Sequence, residues 1–353
     1  METFDRVDRL IRQGLEAGAY PSAALAVGIG RRTYLKKAYG NCSCHTLFDI
    51  ASVSKILSAT MIALRFLEEG LLRLYDTVGD FFPDAPGDKR DITIMQLMTH
   101  TGGFAAHFLL SDHTSDPDTA ARVILEQPLV QNPGGDPIYS CMGYILLGKI
   151  LEQRGGAPLD ALAQQYVFSP LGMTHTTYRP SGDIAPTELD PATGKLLHGT
   201  VHDENARFLG GISANAGLFS DLDDMVTFTK MLACEGVAED GTGYLSPATV
   251  RAALVNRTPN SAGEYRGLGF NLAGSPRIFL GDLMGARSFG HTGFTGTSIA
   301  VDPDTGLWVV LLTNRVCPTR DNRALVRMRS LVHNAAAAEA SRILSTGNTT
   351  QEP

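Results

Sequence analysis

Residues Ser52 to Leu72 read SVSKILSATMIALRFLEEGLL. Apolar residues recur at helical spacing, and after Lys55 only Arg65, Glu68 and Glu69 are charged, so the run predicts a helix whose start enters a largely apolar interior. Ser52 and Lys55 stand three residues apart at that start, which on a helix places their Cβ atoms on one face about 5–6 Å apart. A serine hydroxyl is a poor nucleophile until a neighbouring base or cation activates it, and a lysine amine within hydrogen-bond reach is such a partner. Burial is expected to push the Lys55 amine down toward its neutral form. Ser-x-x-Lys is short enough to occur by chance, so the rest of the chain must supply the remainder of a site.

Two further segments do so. Tyr139-Ser140-Cys141 follows the turn-forming run Asn132 to Pro137 (NPGGDP) and precedes an apolar helical stretch, Met142 to Leu151. A tyrosine at a loop-to-helix junction can point into a cleft, and flanking cations would make Tyr139 a general base; the alternative is a core tyrosine with a satisfied hydroxyl. Near the C-terminus comes Phe289-Gly290-His291-Thr292-Gly293-Phe294-Thr295-Gly296. Two strand-like runs, Thr297 to Val301 and Leu307 to Leu312, follow it around the turn Asp302 to Gly306 (DPDTG) and predict an antiparallel hairpin. Gly293 and Gly296 allow close approach of backbone to a ligand, where N–H groups can meet an oxyanion.

In this order S-x-x-K, Y-S-x and H-T-G resemble the serine β-lactamase and penicillin-binding-protein superfamily, in its class C β-lactamase and D-Ala-D-Ala carboxypeptidase branch. The resemblance extends to Phe48 to Ala51 (FDIA), Ile92 to Phe104 (ITIMQLMTHTGGF), Phe168 to Met173 (FSPLGM) and Gly210 to Phe228 (GGISANAGLFSDLDDMVTF). Val201 to Ala206 (VHDENA) and Leu311 to Asn322 (LLTNRVCPTRDN) look most like β-lactamase-like hydrolases that include muramyl-peptide amidases. The resemblance implies Ser52 as the acylated nucleophile, Lys55 as its partner, Tyr139 as the proton carrier, and the backbone N–H groups of Ser52 and Phe294 as the oxyanion hole. It puts Cys141, Thr292, Gly293, Asn314 and Arg315 among substrate-binding residues, with Arg315 able to clamp a carboxylate through two parallel hydrogen bonds.

The chain departs from that pattern twice. His291 stands where many relatives have lysine and would supply positive charge near Tyr139 only when protonated, making activity pH-sensitive between about pH 5 and 8. Cys141 takes the third position of a motif that is usually Y-x-N. A thiol neither presents an amide to the substrate carbonyl nor holds the lysine as asparagine does, which disfavours β-lactams. No histidine is near Cys141 in sequence, so a buried, inert thiol is expected, with a second nucleophile as the alternative.

Composition narrows the classes. With 353 residues, 43% hydrophobic and 19% charged, the chain can bury a large core as one large or two interleaved domains. A net charge of -7 offers no basic field for a nucleic-acid backbone. Met1 to Ala17 has the pattern of an amphipathic helix rather than a signal peptide, and no segment reaches membrane-spanning length, so a cytoplasmic protein with no membrane partner is expected. Five cysteines without framework spacing suit a reducing compartment. His198, His202 and Asp203 have a spacing that could chelate on a helix, but Gly199-Thr200-Val201 makes a poor helix, so neither metal nor cofactor is expected.

Strands are expected over Ser22 to Ile29 and Thr33 to Tyr39, then Gly267 to Ala273, Arg277 to Leu280 and Ser288 to Gly290, besides the hairpin. A helix from Asn322 to Leu344 closes the chain. The fold class is α/β (α+β): an antiparallel sheet flanked by N- and C-terminal helices, from residues 1–79 and 265–344, with a mainly helical domain at 80–264 and a disordered tail at 345–353. The expected function is a serine hydrolase acting on a small-molecule or peptide substrate, first an amidase or peptidase on peptidoglycan-derived or D-amino-acid peptides. A carboxylesterase with weak β-lactamase activity and a non-catalytic penicillin or peptide sensor are the alternatives.

Overall fold

The computed structural model describes residues 4–275 and 279–347. In chain order the strands are β1 (Ser22–Ile29), β2 (Arg32–Gly40), β3 (Phe48–Asp49), β4 (Leu189–Asp190), β5 (Lys195–Leu196), β6 (Phe219–Ser220), β7 (Asn271–Leu272), β8 (Phe289–Thr292), β9 (Ser298–Asp302) and β10 (Leu307–Thr313). Six of them form one antiparallel sheet in the order β2-β1-β10-β9-β8-β7, so the first strand of the chain lies against the last, Ala26 opposite Val310. The pairs β3-β6 and β4-β5 are short separate ribbons.

Side chains alternate across a strand, and in β1 and β10 both sets are apolar, so both sheet faces must be covered. Leu25, Val27, Leu307, Val309 and Leu311 pack with Val7 and Ile11 of the first helix (Asp5–Glu16) and with Leu325, Val332 and Ala336 of the closing helix (Ala324–Gly347). Ala24, Ala26, Trp308, Val310 and Leu312 face the other way and share a core with Ile56, Leu97 and Leu146, which lie in helical segments. The sheet flanked by terminal helices is therefore present as expected, at about 1.5–3 kcal/mol for each large side chain fully buried.

Several boundaries differ from the sequence reading. Ser52 lies in the turn that opens the nucleophile helix. A π-helical segment, Lys55–Thr60, then runs into an α-helix, Met61–Glu68. That helix stops short of Leu72 because Gly70, at φ +70°, reverses the chain and Leu71 N–H returns to the Phe66 carbonyl at 2.8 Å. The strand expected over Gly267 to Ala273 shrinks to β7, since Gly269 at φ +83° breaks it. Of the strand expected over Arg277 to Leu280, residues 276–278 lie outside the described residues, and Phe279 and Leu280 are not in a strand. The closing helix runs on through Ser345 to Gly347, and residues 348–353 lie outside the described residues. Among the described residues no helix is long and apolar enough to cross a membrane.

Candidate active site

The nucleophile turn is built from β3. Ala51 sits at φ +47°, a left-handed conformation that costs a non-glycine residue on the order of 1–3 kcal/mol. Its neighbours hold it there. The Ala51 N–H donates to the Asp49 carboxylate at 2.8 Å, and the other Asp49 oxygen accepts the His202 N–H at 2.7 Å. From the far side, Thr295 Oγ1 donates to the Asp49 carbonyl (2.6 Å) and Thr297 Oγ1 to the Ile50 carbonyl (3.0 Å), tying the turn to the loop between β8 and β9. Gly293 permits this approach, since a Cβ there would lie 2.4 Å from the Ile50 carbonyl oxygen. Ser52 and Phe294 are thereby brought to one rim, and among the described residues neither backbone N–H has an acceptor in the protein.

Lys55 is fully buried, and its Nζ donates to Ser52 Oγ at 3.0 Å and to the Asn215 carbonyl at 2.9 Å, with Cys141 Sγ at 3.5 Å. The expected depression of this amine does not occur. Burial pushes it down, but the facing Cys141 and Tyr139 side chains and Asp203 push harder the other way and hold it above its ordinary value. Lys55 is therefore a cation at neutral pH. Asn215, absent from the sequence-predicted site, anchors this corner: its Oδ1 accepts Ser213 Oγ at 2.6 Å and its Nδ2 donates to Asp203 at 3.1 Å.

Tyr139 lies just before the helix Cys141–Gly155, whose N-cap Ser140 accepts the Gly143 N–H at 3.1 Å. The Tyr139 hydroxyl is buried with no hydrogen-bond partner among the described residues. Lys55 Nζ stands 4.8 Å and the Arg266 guanidinium 5.2 Å from its ring centroid. His291 is beside it, ring centroids 6.0 Å apart, but is not the expected cation. Burial, then Arg266 and Lys55, hold its pKa well below 6.5, so the ring is neutral. Arg266 takes the place in the charge arrangement foreseen for His291, and nothing in its local sequence signals this. His100, also held neutral by burial, packs on the other side of Tyr139 at 4.5 Å between centroids and accepts the Ser140 N–H at 3.0 Å.

Ser52, Tyr139, Cys141, Thr292, Gly293, Phe294 and Arg315 all line one cavity of about 460 Å³. A hollow of about 510 Å³ beside Phe81, Asp84 and Arg122 is larger but offers no nucleophile or imidazole. Arg315 Nη1 is engaged by the carbonyls of Arg320 (3.1 Å) and Asn322 (2.6 Å), and its guanidinium lies 4.7 Å from the Phe294 ring centroid. Asn314 does not reach the cavity: its Oδ1 accepts the Ser22 N–H and its Nδ2 donates to the Pro186 carbonyl, so its role is to join strand ends. His198 and His202 have separate partners, the Ile184 carbonyl and Glu188, each at 2.9 Å. Elsewhere His45 with Asp221 and Asp223, and His175 with Asp221 and Asp224, gather donor atoms within 4.8 Å, but none of these residues lines the cavity.

A family model described as Beta-lactamase matches residues 7–333. The chain belongs to the β-lactamase family. Membership makes it a serine hydrolase of the β-lactamase and penicillin-binding-protein type. A protein of Escherichia coli (strain K12) named "Putative D-alanyl-D-alanine carboxypeptidase" is 30% identical over 366 residues, covering 89% of this chain and 83% of that one. Among solved structures, "EstCE1, a hydrolase with promiscuous acyltransferase activity" superposes with a TM-score of 0.76 at 22% identity, over 94% of this chain and 97% of that chain. A penicillin-binding-protein homologue from Caulobacter crescentus does so with a TM-score of 0.75 at 19% identity, over 95% and 97%. These two likenesses establish the fold, and within this family substrates are set by the site rather than by the fold.

Proposed function

We propose that this β-lactamase-family protein is an amidase or peptidase on peptidoglycan-derived or D-amino-acid peptides, acting through an acyl-enzyme on Ser52. The observation that carries the reading is the Lys55 ammonium on Ser52 Oγ at 3.0 Å, at the edge of a cavity shared with the unpartnered Tyr139 hydroxyl. Ser52 Oγ attacks the amide carbonyl while its proton passes to the Tyr139 oxygen, which takes it as the phenolate, an anion that faces the Lys55 and Arg266 cations before the transfer. The developing oxyanion is received by the Ser52 and Phe294 N–H groups, which have no protein acceptor among the described residues. Tyr139 returns the proton to the leaving amine, and water then releases the acid. With Lys55 already charged, its part is to hold Ser52 and stabilise negative charge rather than to take the proton.

The substrate class is supported by the name of the E. coli relative and by Arg315, whose remaining guanidinium nitrogens have no protein acceptor among the described residues and can receive a carboxylate. Ester hydrolysis is the second reading, favoured by Cys141: a thiol stands where an amide would recognise the acyl side of a peptide, a loss that matters less to a reactive ester. Incubation with muramyl peptides, D-Ala dipeptides and p-nitrophenyl acetate, followed by intact-mass analysis after fluorophosphonate treatment, tests both. A fluorophosphonate adduct on Ser52 with peptide cleavage is expected. Cleavage of esters alone selects the second reading, and turnover without any Ser52 adduct rejects the nucleophile.

A further inference from the structure

Cys141 has no part in the steps above, yet its surroundings differ from those of a buried structural cysteine. It is the first residue of a 15-residue helix, where the positive end of the helix dipole favours an anion, although the Cys141 and Gly143 N–H groups are already bonded to the Ala106 carbonyl and Ser140 Oγ. The fully buried Lys55 ammonium lies 3.5 Å from its sulfur. His107, from the segment that follows the helix Ile94–Met98, interacts with it, and both residues line the cavity that holds Ser52. The Asn215 amide also faces it, as does Asp203, whose charge opposes an anion, while Tyr139 and a second acidic residue, Glu204, line the same cavity. Burial raises the thiol, but Lys55 and then His107 outweigh it, and the Cys141 pKa falls below its ordinary value. The reciprocal effect is seen at His107, raised first by its contact with Cys141. Cys42, Cys44 and Cys317 are pushed the opposite way by burial.

We propose that Cys141 is a covalent-modification site, a reactive thiol open to small electrophiles and to hydrogen peroxide, whose modification obstructs the Ser52 cleft. With iodoacetamide the sulfur forms a bond to the methylene carbon and iodide leaves. With hydrogen peroxide the sulfur attacks one oxygen and the O–O bond breaks. Sulfur is thereby oxidised by two electrons to the sulfenic acid, and the departing hydroxide takes a solvent proton to become water. Added bulk or a hydroxyl on Sγ occupies the space between Lys55 and the substrate carbonyl. This consequence rests on Ser52 being the nucleophile; the reactivity of Cys141 does not.

The test is iodoacetamide labelling of the full-length protein from pH 5 to 9, with peptide masses read at each cysteine. Cys141 is expected to label first at pH 7, ahead of Cys42, Cys44 and Cys317. In Lys55→Met the pH of half-maximal labelling rises by at least one unit, a tenfold slower reaction at pH 7. His107→Ala, a change at an exposed loop, moves it the same way by less and serves if Lys55→Met does not fold. Equal labelling of Cys141 and Cys42 at pH 7, or an unmoved midpoint in the folded variants, overturns the proposal. Brief peroxide treatment is expected to block fluorophosphonate addition at Ser52, and dithiothreitol to restore it; undiminished addition to protein carrying oxidised Cys141 overturns the obstruction. Because labelling is read at Cys141 itself, failure there leaves the Ser52 reading intact, and absence of a Ser52 adduct in untreated protein sinks that reading alone.

Discussion

At Ser52 the hydroxyl oxygen accepts a hydrogen bond from Lys55 at 3.0 Å, an arrangement that leaves its own proton free for a second partner in the cavity. Ser52→Ala should remove fluorophosphonate labelling and reduce p-nitrophenyl acetate or peptide turnover by about 10³-fold or more, as loss of a nucleophile does elsewhere. Melting temperature should stay close to wild type, because the Ser52 hydroxyl makes no other hydrogen bond among the described residues. His291 leads to a different expectation. Burial, Arg266 and Lys55 hold its folded pKa well below 6.5, so the ring stays neutral between pH 6.5 and 8. His291→Gln should leave both limbs of the pH-rate profile in that range unmoved, and a limb that shifts by half a unit or more would show that the ring titrates during turnover. The sign for stability is the reverse of a salt-bridged histidine: the unfolded chain binds a proton below pH 6.5 that the folded ring refuses, so stability falls as pH drops through that value.

The elements that matter most are the turn after β3 and the loop joining β8 to β9, because each holds the other. Two threonine hydroxyls of the loop cap two carbonyls of the turn, and Gly293 leaves no room for a side chain between them. Gly293→Ala forces a methyl group against the Ile50 carbonyl and Thr297 Oγ1. We expect it to destabilise the protein by about 1–3 kcal/mol, as overpacking does, and to lower kcat more than KM by displacing the Phe294 N–H from the oxyanion position. Chemical denaturation paired with steady-state kinetics reads both; unchanged kcat with lowered stability would remove the loop from the oxyanion hole.

Across the whole molecule, Arg320, beyond the end of β10, bridges Glu188 and Glu204 at 2.6 and 2.7 Å, and so ties the sheet end to the segment that carries His202. Burial raises Glu188, but hydrogen bonds from Arg320 and His202 overcome it and bring its pKa from 4.5 to about 2. A carboxylate depressed in this way adds stability that is fully present above about pH 4.5 and is lost as pH falls toward 2. Glu188→Gln should therefore melt lower than wild type at pH 6, by roughly 2 °C, and the gap should close as pH is lowered from 4.5 to 2. A gap that stays constant with pH would mean that the carboxylate charge adds nothing to folding.

The central strands, the hairpin around Asp302 to Gly306 and the terminal helices were legible from residue order alone, because burial on two faces writes alternation into β1 and β10 and turns require particular residues. Ser52, Lys55, Tyr139 and the His291 to Phe294 segment were legible as types at fixed spacings. What the sequence could not determine was charge. The Lys55 ammonium and the neutral His291 follow from which groups face one another across the cavity, Cys141 and Tyr139 for the first and Arg266 and Lys55 for the second. Asn314, next to Arg315 in the chain, turned instead to bind strand ends. Local pattern records the covalent neighbours of a residue and its burial, whereas protonation depends on distances of a few ångströms between groups remote in sequence, and only the tertiary structure sets those.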